Sequence, residues 1–536
     1  MRFVRDRSIG LAEAVGDALA ECPAALRVHD TERRMWTEYP WGEVIEVGRR
    51  IGQRLEEELG GRVAPIGIVG ETTARTVSAI YGVWAIGASV VVLPGPIRGA
   101  DAAQWATSVF ARLRSMDCPV VFCEARLRES LERGLPDGMR LHDLESTETW
   151  ARPIRFAHRR TESDAPAVLQ STAGSTGEPK IAVVSRAAVL NHVRGFFERA
   201  GGEDHDVGCS WLPLYHDMGL MALVIAMVSG ANLWLAPTAS FVRAPFDWIT
   251  WLSDSRATLV AAPNFAYELL TRYTRDGAAV DLSALEYVIS GGESVDCDSL
   301  ARFSYQMSRF GFDPRALAPA YGLAEATCAV TAPRRGIGLT TDEVELVNLD
   351  RAGGVQRIRY AVLGRPLPGM DVRIAPNERI SLRSESRDIG EVEIRGHSMM
   401  NGYLGERPLA ANSWYRTGDI GYLVDDRLVV CGRLKEMVKV AGRSIFPQQI
   451  ESVSAKVPGI RQGAVAAAVG SRRLVIVAEY VGQARESTKK DIRARVASEC
   501  GVVPAIIELV KPGSLPRTTS GKLRRLRVGE QYGDTR

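Results

Sequence analysis

Short, uninterrupted apolar runs alternate with longer segments of helical period through most of this chain. VAPIGIVGE (Val63 to Glu71) predicts a strand ending in a glycine turn; a helix follows, and ASVVVLP predicts the next strand. ANLWLAP, ATLVAAP and LEYVISGG repeat the theme, each an apolar run closed by Pro or Gly. Runs without period-two alternation suit strands buried on both faces, as in a mostly parallel sheet. Such sheets place ligand sites in the loops beyond their strand ends. From about Gly364 the texture changes, and MDVRIA, EVEIRG and RLVVCGR are short and alternating, the pattern of antiparallel sheet. A last unit starts near Lys435 and reads strand, helix (PQQIESVSAKV), two strands (RQGAVAAAV, RLVIVAEYV), helix (STKKDIRARVASEC) and basic tail. The expected fold class is α/β. A large N-terminal domain, 1–434, has layered mostly parallel sheets and a small antiparallel β subdomain, and a small α+β domain spans 435–536.

The length of 536 residues, 46% hydrophobic, exceeds what a single core fills. Lys and Arg total 67 against 64 Asp and Glu, a near balance that argues against nucleic acid as a partner. Eight scattered cysteines form no CxxC pair or zinc pattern, as expected of free thiols in a reducing cytosol. Asp6, Arg7 and Glu13 interrupt any signal-peptide core. Two uncharged stretches, Thr76 to Ile97 and Met218 to Pro237, carry internal glycines and read as helix, turn and buried strand rather than membrane spans. The expectation is a soluble, cytoplasmic protein without stable membrane insertion. Basic residues gather late, at Lys489, Lys490, Arg493 and Arg495 and again at Arg524, Arg525 and Arg527. They read as a solvated helix face, or as a docking surface for an acidic partner.

The densest chemical signal is Thr172-Ala173-Gly174-Ser175-Thr176-Gly177-Glu178-Pro179-Lys180. Small, hydroxylated and glycine residues let a loop wrap phosphate oxygens with backbone N–H groups and hydroxyls, and Lys180 adds positive charge. It is not a Walker loop, because Pro179 precedes the lysine. Taken alone, it reads equally as a Ser/Gly surface turn. Tyr321-Gly322-Leu323-Ala324-Glu325 offers an aromatic face and, four residues on, a carboxylate able to hold a hard cation against phosphate. Ser290-Gly291-Gly292-Glu293 is another strand-end turn. Asp419, in Tyr415-Arg416-Thr417-Gly418-Asp419, sits where a carboxylate can accept from two ribose hydroxyls, and Arg433 is a second polar candidate. Lys522, in LPRTTSGK, stands on a flexible loop from which it can reach developing charge, unless the tail is simply solvated.

In this order and spacing, these segments resemble the adenylate-forming superfamily of acyl-CoA synthetases, luciferases and nonribosomal adenylation domains, over roughly residues 20–527. The resemblance implies ATP and Mg²⁺ as cofactors. It implies a phosphate loop containing Thr172, Gly174, Ser175, Thr176, Gly177 and Lys180, and an adenine platform of Gly291, Gly292, Glu293, Tyr321 and Gly322. It further implies Glu325 and Thr176 at the metal, ribose contacts from Asp419 and Arg433, Lys522 as the catalytic lysine and Lys435 as the hinge. Ala173 departs from the family's more frequent Ser and removes one hydroxyl donor.

Trp211-Leu212-Pro213-Leu214-Tyr215-His216-Asp217-Met218-Gly219-Leu220, Leu169-Gln170 and Tyr321 to Thr327 are similar to fatty acyl-AMP ligase signatures. In that branch an insertion, here between Thr331 and Gly364, packs on the small domain and disfavours transfer to CoA. His216 becomes a candidate gate to the acyl pocket, while Met218, Leu220 and Met221 read as core packing rather than pocket wall. GCSWLPLYHDMGL, PNFAYELL, GGESVDCD, SMMNGYLG and SECGVVP are similar to the acyl-AMP ligases of mycobactin-type siderophore assembly. The implied partners are a long-chain fatty acid and a holo acyl carrier protein. The 440–447 loop departs from many acyl-AMP ligases, so the acceptor is less firmly implied than adenylation. A fatty acyl-CoA synthetase is the nearest alternative, and a catalytically inactive nucleotide-binding regulator is the alternative from another class.

Overall fold

The apolar runs become strands of two seven-stranded sheets. The computed structural model describes residues 9–96, 101–150, 158–172, 180–203, 205–272, 279–348, 355–380, 382–440, 443–470, 473–517 and 523–533. One sheet runs, in spatial order, Leu317–Pro319, Tyr287–Ser290, Leu259–Ala262, Val207–Ser210, Asn232–Leu235, Ala25–Asp30 and Met35–Pro40; only its last pair is antiparallel. The other runs Gly402–Tyr403, Ile181–Ser185, Pro166–Ser171, Val90–Leu93, Ile66–Val69, Val120–Cys123 and Arg140–Asp143. Strand Ile66–Val69 is shorter than its sequence pattern, and Val63, at the start of that pattern, is exposed.

Inner faces of both sheets share one core, in which Leu26 and Leu233 of the first join Ile68 and Val90 of the second. Helices Trp41–Leu59, Ala74–Ala85, Arg186–Ala200 and Asp217–Ser229 contribute to that core. Both uncharged stretches resolve as expected into helix, turn and strand. Asp217–Ser229 is buried on most sides, and Gly230 takes φ +67°, a left-handed cap that costs glycine little and turns the chain into Asn232–Leu235. Among the described residues, no helix is long and apolar enough to cross a membrane.

The alternating segments form a four-stranded antiparallel sheet, Met370–Ala375, Gly390–Gly396, Tyr415–Val424 and Arg427–Arg433. After the single turn Leu434–Glu436, side chains from Val438 to Leu509 close a core of their own. Strands Ile460–Gly470 and Arg473–Tyr480, both expected from the sequence, pair antiparallel there.

Two elements went unread in the sequence. Ile506–Val510 adds a parallel strand, and the basic tail contains a helix, Arg525–Gly533, packed on the first of these strands through Val528. Arg525 is therefore not part of a solvated face. Its guanidinium donates to Glu451 at 2.7 and 2.8 Å and to Glu436 at 2.9 Å, with 18% of the side chain exposed. Lys490, Arg493 and Arg495, on helix Arg485–Cys500, are exposed as expected.

The segment between Thr331 and Gly364 forms an antiparallel hairpin, Thr341–Asn348 with Val355–Ala361. Leu349 and Asp350 lie outside the described residues. Arg359 ion-pairs with Asp298, and Tyr360 accepts a hydrogen bond from Gln449 Nε2 at 3.2 Å. Gln449 belongs to helix Pro447–Ala455, so the hairpin touches the C-terminal unit at this point.

Candidate active site

A cavity of about 2300 Å³ opens where the two large sheets, the antiparallel sheet and the C-terminal unit meet. Strand ends deliver its polar lining, as the parallel-sheet rule requires. Thr172 and Lys180 line it at the ends of strands Pro166–Ser171 and Ile181–Ser185. The Thr172 N–H and hydroxyl both donate to the Lys180 carbonyl, at 2.8 and 3.1 Å, and pinch the loop at its base. The Thr172 hydroxyl is thus spent on loop closure, which the sequence reading had assigned to phosphate. Residues 173–179 between them, including Ala173, Gly174, Ser175, Thr176 and Gly177, lie outside the described residues.

Lys180 does not stand alone. Its ammonium reaches Glu406 at 2.7 Å and lies 4.6 Å from the Tyr403 ring centroid. Tyr403 in turn donates to Glu325 Oε1 at 2.6 Å. Because that hydroxyl hydrogen is committed, the 2.9 Å contact between Tyr403 and Tyr415 is a hydrogen bond given by Tyr415. Burial, reinforced by Glu325, pushes the Tyr403 phenol far up, and burial takes Tyr415 up to about 12, so both remain donors. Neither tyrosine had been assigned a role from sequence, although both fall inside quoted segments (SMMNGYLG and YRTGD).

The adenine-side candidates converge on the same cavity. Gly291, Gly292, Glu293, Tyr321 and Gly322 all line it. Gly322 is enforced sterically, since a Cβ there would lie 2.0 Å from the Cys328 carbonyl oxygen. Glu293 Oε1 accepts from the Phe265 N–H at 2.8 Å, so this carboxylate caps the first turn of helix Asn264–Leu270. Asp419 is 4% exposed and accepts from Tyr321 at 2.7 Å and from Arg433 Nε at 3.1 Å. Asp419 and Arg433 face each other across the register of strands Tyr415–Val424 and Arg427–Arg433. The charge of Asp419 raises the Arg433 pKa, while burial and then Asp419 raise that of Tyr321.

Lys435 lines the cavity on the turn Leu434–Glu436. Lys522 lies outside the described residues, but its flanks do not. Arg517 and Leu523 form an antiparallel bridge and both border the cavity. The pinched loop base and the bridged tail therefore open onto one space.

Apolar side chains line the cavity as well, Phe196, Met221 and Ile225 among them. His216, N-terminal to helix Asp217–Ser229, lines the cavity, and its Nδ1 lies 2.6 Å from Asp217 Oδ1. Met218 and Met221 also line it, whereas Leu220 is in the core. Core packing accounts for Leu220 alone; the two methionines do both jobs, since the i, i+3 spacing turns them toward the cavity together. Gln170 Nε2 donates to the Tyr215 carbonyl at 2.7 Å and ties two of the signature segments across the sheets.

Among the described residues, no group of three or more His, Cys, Asp or Glu side chains can hold a metal unaided. One carboxylate beside a phosphate loop fits Mg²⁺, which keeps few protein ligands and takes the rest of its octahedron from phosphates and water. None of the eight cysteines forms a disulfide, and burial pushes the thiols of Cys118, Cys123, Cys209 and Cys431 up to about 12.

Residues 18–404 match the AMP-binding enzyme family. The chain is 32% identical over 524 residues to the putative ligase Rv1013 of Mycobacterium tuberculosis, covering 92% of this chain and 94% of that protein. It is 32% identical over 409 residues to the M. tuberculosis long-chain-fatty-acid–AMP ligase FadD26, covering 68% and 69% of the two chains. A structure from a study of fatty acyl-adenylate ligases of E. coli and L. pneumophila superposes with TM-score 0.89 at 26% identity, covering 98% of both chains.

Proposed function

The chain belongs to the AMP-binding enzyme family, as an adenylate-forming ligase of the fatty acyl-AMP ligase type, and from that premise we propose that it activates a long-chain fatty acid with ATP and passes the acyl group to the phosphopantetheine thiol of an acyl carrier protein. The observation that carries this reading is one cavity lined both by the polar residues Lys180, Glu325 and Asp419 and by the apolar side chains of Phe196, Met221 and Ile225. In the first step a carboxylate oxygen attacks the α-phosphorus, the bond to pyrophosphate breaks, and acyl-AMP remains. Two anions must meet, so positioning and charge neutralisation supply most of the acceleration. Asp419 holds the ribose, the 172–180 loop holds phosphates, and Lys522 bridges carboxylate and α-phosphate. Glu325 and Thr176 would hold Mg²⁺, which would add positive charge at the phosphates, and Tyr403 orients the Glu325 carboxylate.

In the second step the thiol sulfur attacks the acyl carbonyl and AMP leaves. The C-terminal unit, 435–536, turns about Lys435, so that the tail lysine withdraws and the 440–447 loop replaces it. The Thr331–Gly364 hairpin, through Tyr360 and Gln449, favours the carrier thiol over CoA. Exposed Lys490, Arg493 and Arg495 suit docking of an acidic carrier. Cysteines without disulfides suit a cytoplasmic setting. The segments similar to mycobactin-type acyl-AMP ligases support lipidation of such a siderophore as the destination.

Intact-mass analysis of holo carrier proteins, after incubation with ATP and a fatty-acid panel, tests the reading. Acylated carrier with little acyl-CoA is the expected result. Equal or better transfer to CoA would make the chain an acyl-CoA synthetase, and no pyrophosphate release with any acid would make it a nucleotide-binding regulator. Lys435→Pro is expected to slow thioester formation by roughly tenfold or more while ATP–pyrophosphate exchange continues. Equal losses in both steps would remove Lys435 from the hinge.

A further inference from the structure

One aromatic side chain of the C-terminal unit is not packed in that unit's core. Phe446 follows strand Arg443–Ile445, stands N-terminal to helix Pro447–Ala455, and is 0% exposed. Its chain neighbours Ile445 and Ile450 belong to the C-terminal core, but its own ring does not. The ring joins a cluster whose other buried members all precede Lys435, among them Leu346 of the hairpin and Ile420, Tyr422, Val429 and Cys431 of the antiparallel sheet. It also presses on the bare backbone of Gly432, where a Cβ would come within 2.4 Å of the ring. Close by in the same helix, Gln449 reaches Tyr360 of the hairpin at 3.2 Å.

This seat lies across the pivot at Lys435. Rotation about that residue carries Phe446 with the C-terminal unit, while Gly432, Cys431 and the sheet stay behind. In the orientation described, Arg517 and Leu523 border the cavity, whereas none of the described residues between 438 and 447 lines it. The orientation that seats the ring is thus the one that presents the flanks of Lys522. Exchanging the two loops must draw the ring out, and an aromatic side chain leaving a dry socket loses a large apolar contact. Ring and lysine also move together. Arg525, three residues after Lys522, ties the tail helix to Glu451 in the helix that Phe446 precedes, at 2.7 and 2.8 Å.

We propose that Phe446 is a positioning residue, a latch whose seat against Gly432 holds the C-terminal unit in the adenylating orientation and whose release sets the rate of acyl transfer. This deepens the two-step ligase reading and rests on it. Transfer then draws on a minor, unlatched population. Weakening the latch multiplies that population while scarcely reducing the major one, so the two steps respond unequally.

The test uses the full chain. ATP–pyrophosphate exchange follows the first step, and single-turnover transfer from preformed acyl-AMP to a holo carrier protein follows the second. Phe446→Ala is expected to speed transfer by about tenfold and to change exchange by less than about twofold, with Phe446→Leu in between. Mere loosening of the fold would slow both steps. If the variant does not fold or no carrier accepts the acyl group, para-fluorophenylalanine at position 446 decides by fluorine NMR. One buried resonance is expected in the free enzyme, joined by a solvent-exposed one when the enzyme is saturated with a non-hydrolysable dodecanoyl-AMP analogue. A resonance that stays buried, or transfer unchanged or slowed in the folded Phe446→Ala variant, would overturn the latch and leave the ligase reading standing. Failure of pyrophosphate release with every fatty acid would overturn both.

Discussion

Lys522→Ala is expected to slow acyl-adenylate formation by about two to three decades, the cost of losing one charged contact to a transition state, about 3–4 kcal/mol. The reason is electrostatic. A carboxylate and a triphosphate repel, and the attack requires positive charge at the oxygens where they meet. The ends of the lysine's loop are placed for this, because Arg517 and Leu523 bridge one another at the cavity edge. ATP–pyrophosphate exchange measures the first step alone. Transfer from preformed acyl-AMP to the carrier should be much less affected, since the lysine has left by then. Normal exchange in the folded variant would take Lys522 out of the mechanism.

The second large effect is expected at Asp419. Replacing it with alanine should raise the KM for ATP by about a hundredfold, because hydrogen bonds to a charged acceptor contribute roughly 1.5–3 kcal/mol each and a ribose offers two. The side chain is held by the Tyr321 hydroxyl and Arg433, so it is oriented before ATP arrives. Arg433 is about half exposed and can turn to water when its partner is lost, which limits the damage to the fold. The control is 2′-deoxy-ATP. It should bind the unmodified enzyme less well than ATP and the variant about equally, since the variant has no carboxylate left to sense the hydroxyl. An unchanged KM for ATP, or an undiminished penalty for the deoxynucleotide in the variant, would move the ribose elsewhere.

Much of this arrangement could be read along the chain, and the failures share a cause. Strand ends such as Ser290 and Gly322 were recognisable from local pattern, because backbone geometry at a turn restricts which residues fit. The partners of the charged groups were not. Lys180 meets Glu406, and Tyr403 meets Glu325, across separations that no local period spans. Arg525 read as a solvated basic residue because nothing nearby in sequence opposes it, while Glu436 and Glu451 reach it only after the last helix has folded back.

Local sequence determined which segments are strands or helices, where glycine must stand, and which residue types can meet a triphosphate, because these follow from periodicity, sterics and functional-group chemistry. Tertiary structure decided which charges are neutralised in place and that the base of one loop and the flanks of another open onto the same cavity. Those outcomes depend on distances between chain-remote atoms, which are set only when the sheets, the helices between them and the C-terminal unit close on one another.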